Sequence, residues 1–190
     1  MNISFLGATK TVTGSNFLLD AAGKKILIDC GLYQGKAAEE MENYIDFPYN
    51  VHDIDFMLLT HAHIDHSGRI PKLYVDGYRG PVIATKATCD LCSIMLPDSG
   101  HIQEMEVEWK NRKRLRKGEK PIPPLYTAED AIKCMEIFKS VNYDEIVEIT
   151  PDIHARFNDA GHMLRIKHYR NLGKRKRRRK ENSIFRRLRK

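Results

Sequence analysis

No stretch of this 190-residue chain approaches 18 consecutive apolar residues, so nothing in it reads as a membrane-spanning helix. The opening residues, Met1-Asn2-Ile3-Ser4-Phe5, hold no basic segment followed by an apolar one. The expectation is therefore a cytoplasmic protein with no secretory leader and no membrane partner. Cysteine is scarce: Cys30, Cys89, Cys92 and Cys134 cannot build a disulfide framework at this length, and reduced thiols are expected. With 12 Gly and 8 Pro, collagen-like and low-complexity readings fail, and no heptad pattern is sustained as a coiled coil requires. What remains is globular: 42% apolar residues in a chain the size of one domain.

Acid is nearly missing from the C-terminal end. Residues 165–190 hold 14 Lys/Arg against Glu181 alone, whereas residues 1–164 hold 18 Lys/Arg against 24 Asp/Glu. The net +7 thus belongs to the tail, and the rest is mildly acidic. Overall charge is therefore no argument that the folded part binds nucleic acid.

Asn2–Leu6, Asn16–Asp20 and Lys25–Asp29 are short apolar runs between glycine-bearing turns, and they read as strands. Residues 55–60 (Asp-Phe-Met-Leu-Leu-Thr) form a compact apolar run, the pattern of a strand covered on both faces, and Pro81–Ala84 is another. Apolar spacing turns helical between Lys86 and Lys117, and Gly118–Leu125, with three prolines, reads as a loop. Thr127-Ala128-Glu129-Asp130 has capping-box form ahead of Ile132, Met135, Ile137 and Phe138 at helical spacing. Alternation returns over Glu145–Thr150 and Ile153–Phe157. Strands, then helices, then strands predict an α/β sandwich with helices outside.

The chemistry is concentrated in Thr60-His61-Ala62-His63-Ile64-Asp65-His66-Ser67-Gly68: three His and one Asp within six residues, directly after a buried strand. A strand end turning into a helix lets side chains converge rather than alternate. Imidazole and carboxylate suit zinc. His61 and His63, two apart on extended chain, point the same way, while Asp65 and His66 lie past the turn, where they can address a second ion. Two ions about 3.5–4 Å apart would hold and activate a hydroxide between them.

The run His61-Ala62-His63-Ile64-Asp65-His66 resembles the H-x-H-x-D-H signature of the metallo-β-lactamase fold. Alone it leaves glyoxalase-like and lactamase-like hydrolases open. Further segments resemble the β-CASP branch, the RNA- and DNA-processing nucleases: Val12–Asn16 with Ile28–Gly35, Leu96–Gln103, Pro124–Ala131, and Phe157–Leu164. The resemblance covers residues 1–164. It implies the N-terminal part of a metallo-β-lactamase αββα sandwich with no β-CASP domain, and zinc-dependent phosphodiester hydrolysis of RNA by a metal-bound hydroxide. It assigns His61, His63 and His162 to one metal and Asp65 and His66 to the other. Asp65 would be catalytic, orienting the hydroxide, and Asp29 would orient the metal-binding turn.

The family motif continues G-H-x-L-G-S and then a strand ending S-G-D, whose Asp bridges both metals. Here Arg165-Ile166-Lys167-His168-Tyr169 follows Leu164, and no S-G-D appears. A reading-frame slip accounts for this. Arg165–Tyr169 written as AGG ATC AAG CAT TAC and read one base later gives Gly-Ser-Ser-Ile. Asn182–Arg189, written as AAT AGT ATT TTC CGG AGA CTT AGG and shifted alike, gives Ile-Val-Phe-Ser-Gly-Asp-Leu-Gly. The expected organisation is a partial domain over 1–164, helical over about 87–140, and a basic tail over 165–190 that is disordered or out of frame. The intact family site holds two zinc ions, and at most one is expected here. Two alternatives stand: a metallo-hydrolase of small esters, thioesters or lactams, and a non-catalytic fragment binding nucleic acid through its tail.

Other candidates carry less. Cys89-x-x-Cys92 has zinc spacing but no second pair, and both read as facing the core of a helix. His101 reads as a solvated helical face, and His52, His154 and His168 belong to no cluster. Arg112–Lys117 could touch an RNA backbone or be the wet side of a helix.

Overall fold

The computed structural model describes residues 1–158 and the backbone of Asp159, Lys167–Asn171 and Asn182–Ser183. The chain opens with β1 (Asn2–Phe5), β2 (Asn16–Ala21) and β3 (Lys24–Cys30), then a short helix α1 (Ala37–Met41). β4 (Phe56–Leu58) leads into α2 (Ile64–Ser67) and α3 (Ile70–Val75), and β5 (Val82–Thr85) leads directly into the 31-residue α4 (Lys86–Arg116). α5 (Ala128–Cys134) ends in a 3-10 turn over Met135–Ile137, followed by β6 (Phe138–Val141), β7 (Ile146–Thr150), β8 (Ile153–Asp159), β9 (Lys167–Asn171) and β10 (Asn182–Ser183).

Six strands form one sheet in sequence order, β1 to β6, antiparallel through β3 and parallel from β3 to β6. The parallel strands need both faces covered, which is why they read as unbroken apolar runs. Alternation in β3, β4 and β5 sorts the two faces. Leu27, Met57, Val82 and Ala84 point to the helical layer, joining Ile70 and Leu73 of α3, Cys92 and Leu96 of α4, and Ala131 and Cys134 of α5. Ile26, Ile28, Phe56, Leu58 and Ile83 point the other way, onto Ile153, Ala155 and Phe157 of β8. Those three side chains seat the second sheet, of order β10-β9-β8-β7, against the first. Each fully buried aliphatic there contributes about 1.5–3 kcal/mol.

The strands expected before residue 85 are present with ends shifted by at most two residues. α4 fills the span whose spacing turned helical, and Thr127 and Asp130 form the reciprocal cap: Asp130 N–H donates to Thr127 Oγ1 (3.1 Å) and Thr127 N–H to Asp130 Oδ2 (2.9 Å). The helical spacing of Ile132 to Phe138 does not persist as helix. The helix ends at Cys134, and Phe138–Val141 pairs in parallel with β5 as an edge strand. β8 carries Phe157 to Asp159, and β9 pairs with it antiparallel, Phe157 opposite Tyr169. The rest of the expected third motif, 160–164, lies outside the described residues.

Candidate metal centre

The histidine run leaves the carboxyl end of β4, the edge of a parallel sheet where ligand sites form in open α/β folds. His61 to His63 is extended, and α2 begins at Ile64 with His63 as its N-cap residue. Ser67 Oγ donates to the carbonyls of Ala62 (2.9 Å) and His63 (3.0 Å), closing the turn from inside. The neighbouring strand end holds the turn from outside. Ser15 N–H donates to the Asp65 carbonyl (2.9 Å), Gly31 N–H to that of Ser15 (2.9 Å) and Leu32 N–H to that of Ile64 (3.0 Å). Gly31 is required by contact: a Cβ there would overlap the Asp65 carbonyl.

Asp29 is the keystone. The pairing of β2 with β3 shifts so that Asn16 faces Cys30 while Phe17 faces Ile28, leaving Asp29 as the extra, bulged residue at φ +58°. Such bulges re-aim a side chain, and Asp is among the residues that tolerate the left-handed region. Asn16 Nδ2 donates to the Asp29 carbonyl (3.0 Å), so the last residue of the Val12–Asn16 segment secures the bulge. The buried carboxylate then accepts from Thr60 N–H (2.7 Å), Thr60 Oγ1 (2.8 Å) and His66 Nδ1 (2.8 Å).

This network fixes the ring tautomers. Thr60 spends its hydroxyl proton on Asp29, so at 2.8 Å it accepts from His61 Nδ1–H. His66 Nδ1–H is likewise committed to Asp29. Both rings therefore present the Nε2 lone pair outward. His61 Nε2 lies 3.0 Å from His63 Nδ1, close to the roughly 3.3 Å between two nitrogens on one tetrahedral zinc at 2.0–2.1 Å. His66 Nε2 lies 3.6 Å from Asp65 Oδ2, and the His61 and His66 ring centroids are 4.0 Å apart. Burial works against a charge on His66, but Asp29 and Asp65 outweigh it and raise its pKa above the ordinary value.

Two solved structures share the fold. MEM-A1, a subclass B3 metallo-β-lactamase isolated from a soil metagenome library, superposes with a TM-score of 0.50 at 20% identity, covering 91% of this chain and 55% of that one. A B3 metallo-β-lactamase with an active-site glutamic acid gives 0.52 at 18%, covering 95% and 57%. The chain has the metallo-β-lactamase fold.

Its sequence homologues lie in the β-CASP branch of that fold. Ribonuclease TTHA0252 of Thermus thermophilus is 37% identical over 163 residues, 86% of this chain and 33% of that protein. Transcription termination factor FttA of Methanosarcina mazei is 34% identical over 166 residues, 86% and 24%. Integrator complex subunit 11 of Danio rerio is 27% identical over 171 residues, 86% and 26%. The chain thus spans a third or less of the length of these curated relatives. Residues 1–79 also match the family described as anti-Pycsar protein Apyc1.

The metallo-β-lactamase fold implies metal ions. The donors fit in kind and as half-sites: His61 with His63, and Asp65 with His66. Among the described residues no three His, Cys, Asp or Glu side chains are gathered for one ion. His162, expected beside His61 and His63, lies outside the described residues. Thr60, Ser15 and Gly31 are site-building residues that the sequence reading did not single out. Thr60 adjoins the His run, whereas Ser15 and Gly31 matter only through backbone contacts made across the fold. Burial pushes the thiols of Cys30, Cys92 and Cys134 up to about 12 and that of Cys89 to about 11.

Proposed function

We propose that this chain carries the metal-binding half of a metal-dependent RNA hydrolase. The observation that supports it is the convergence of His61 Nε2 and His63 Nδ1 at 3.0 Å, with the Asp29–Thr60–His61 chain turning the donor atom outward. His61 and His63, with His162 as third donor, would hold one zinc, and Asp65 with His66 would contribute to a second. Bound zinc supplies Lewis acidity for a phosphodiester and lowers the pKa of water. Asp65 orients the attacking water through its carboxylate, Asp29 keeps the rings of His61 and His66 in register, and the glycine at 31 lets Asp65 approach. RNA as substrate rests on the likeness to TTHA0252, FttA and Integrator subunit 11. We propose the division at 164/165 as well, on the break in charge composition there.

Elemental analysis of the purified chain should find about one zinc, because among the described residues Asp65 and His66 alone address the second position. That zinc should disappear in His61→Ala. Zinc-dependent cleavage of single-stranded RNA, abolished by Asp65→Asn, completes the case; two tightly held ions, or cleavage indifferent to chelation, defeats it. The second reading is a non-catalytic fragment binding nucleic acid through its basic tail, which the charge split of the sequence favours. It requires neither retained zinc nor cleavage.

A further inference from the structure

Trp109, the chain's one tryptophan, stands 57% exposed about two turns before the end of α4, and the side chains around it are cationic. Lys113 Nζ lies 3.6 Å from its ring centroid. α4 stops at Lys117, and Gly118 at φ +73° turns the chain back, with Gly118 N–H donating to Leu115 and Glu119 N–H to Arg114, both at 3.0 Å. The returning segment is pinned to the helix. Asn111 Nδ2 donates to the Ile122 carbonyl and Ile122 N–H to Asn111 Oδ1, both at 2.8 Å, while Arg114 Nε donates to the Lys120 carbonyl at 2.8 Å. Between helix and return lies an open hollow of about 280 Å³, lined by Trp109, Lys110, Lys113, Arg114, Lys117, Glu119 and Ile122, in which Glu119 pairs with Arg114 at 2.9 Å.

Trp109–Lys120 holds seven Lys/Arg against Glu119, while the remainder of residues 1–164 holds 11 Lys/Arg against 23 Asp/Glu. An ordinary solvated helix face pairs its cations with acids four residues away, as Lys110 does with Glu106 and Arg112 with Glu108. Among the described residues Lys113, Arg116 and Lys117 have no such carboxylate. A pre-formed hollow with an exposed indole and unneutralised cations matches the way single strands are held: bases stacked on an aromatic, phosphates on the cations.

We propose that this hollow binds single-stranded RNA, a base stacking on Trp109 and neighbouring phosphates lying on Lys113 and Lys117, while Arg114 is held by Glu119. The choice of RNA rests on the reading of function above, but the place is separate from the histidines. Lys86 follows β5 at the histidine edge of the sheet, and Trp109 lies about 34 Å further along the helix.

The full-length chain, with chelator present to silence metal-dependent cleavage, is titrated with oligoadenylate while its sole tryptophan is followed by fluorescence. Saturable quenching is expected, its log affinity falling with log salt at a slope of about −1.4, as for two phosphate contacts. The double substitution Lys113→Glu, Lys117→Glu should weaken the midpoint at least tenfold with unchanged circular dichroism; Lys113→Gln, Lys117→Gln provides a milder second variant. Replacing Lys174–Lys180 by serines should leave the quenching midpoint where it was, separating the hollow from the tail. Binding of labelled oligoadenylate without a change in Trp109 emission overturns the proposal, as does equal quenching by base-free polyphosphate. An acidic peptide that quenches equally well also overturns it, in favour of a protein partner. Cleavage with zinc is scored separately, so loss of either result leaves the other standing.

Discussion

One carboxylate carries an unusual share of the site. Asp29 receives Thr60 twice and His66 once, from a bulge that an ordinary strand residue would not create. Asp29→Asn keeps the side-chain shape and tolerates the left-handed backbone, but it weakens the anchoring of both rings. Zinc affinity should fall roughly 10–100-fold by chelator competition, with little change in circular dichroism. Gly31 makes a complementary test. Gly31→Ala has no room for its methyl against the Asp65 carbonyl and should cost about 3 kcal/mol or more in urea denaturation, taking zinc binding with it. The donors themselves were legible, because four ligand-type residues in six positions after a buried strand have few structural uses. Gly31 and Ser15 were not, since nothing local reveals that their backbones touch Asp65 across the fold.

At the scale of elements, the parallel strands announced themselves because burial on both faces leaves only apolar runs, and α4 did so through its long helical spacing. β6 was hidden for a physical reason. Ile132, Met135, Ile137 and Phe138 keep helical spacing across a junction where the backbone changes from helix to 3-10 turn to edge strand, and one buried face serves both. The cap at Thr127 should be worth about 1 kcal/mol; Thr127→Ala is expected to lower the chemical denaturation midpoint accordingly without altering the m-value. Where β4 begins, Asp55 is clasped by Lys24 Nζ (2.6 Å) and by the Lys25 amide (2.9 Å). Burial alone would raise its pKa, but these donors outweigh burial and lower it. Its stabilising contribution is therefore complete above the unfolded-state value, near 4, and is lost as pH falls through the depressed folded value. Solvent exposure of the Lys24 partner keeps this to about 0.5 kcal/mol. Asp55→Asn should shallow the acid limb of a stability profile below about pH 4.

For the whole molecule, the two sheets are joined through few side chains. Phe157 is fully buried between them, and Phe157→Ala should cost about 3–5 kcal/mol in urea denaturation, releasing the second sheet before the first. The charge split within residues 1–164 was countable from the sequence, whereas its meaning around Trp109 needed the Gly118 turn and the Asn111 clasp to be seen.

The junction between β5 and α4 has a mechanical consequence. Thr85 is the last strand residue and Lys86 the first helical one, with the Thr85 and Thr88 hydroxyls 3.0 Å apart in the buried joint. A helix welded to a central strand without an intervening loop behaves as a lever arm. Spin labels placed near residues 98 and 116, beyond Pro97, should report a single narrow distance of about 27 Å. A push at the tryptophan end would thus be transmitted to the sheet as tilt, with little lost to slack.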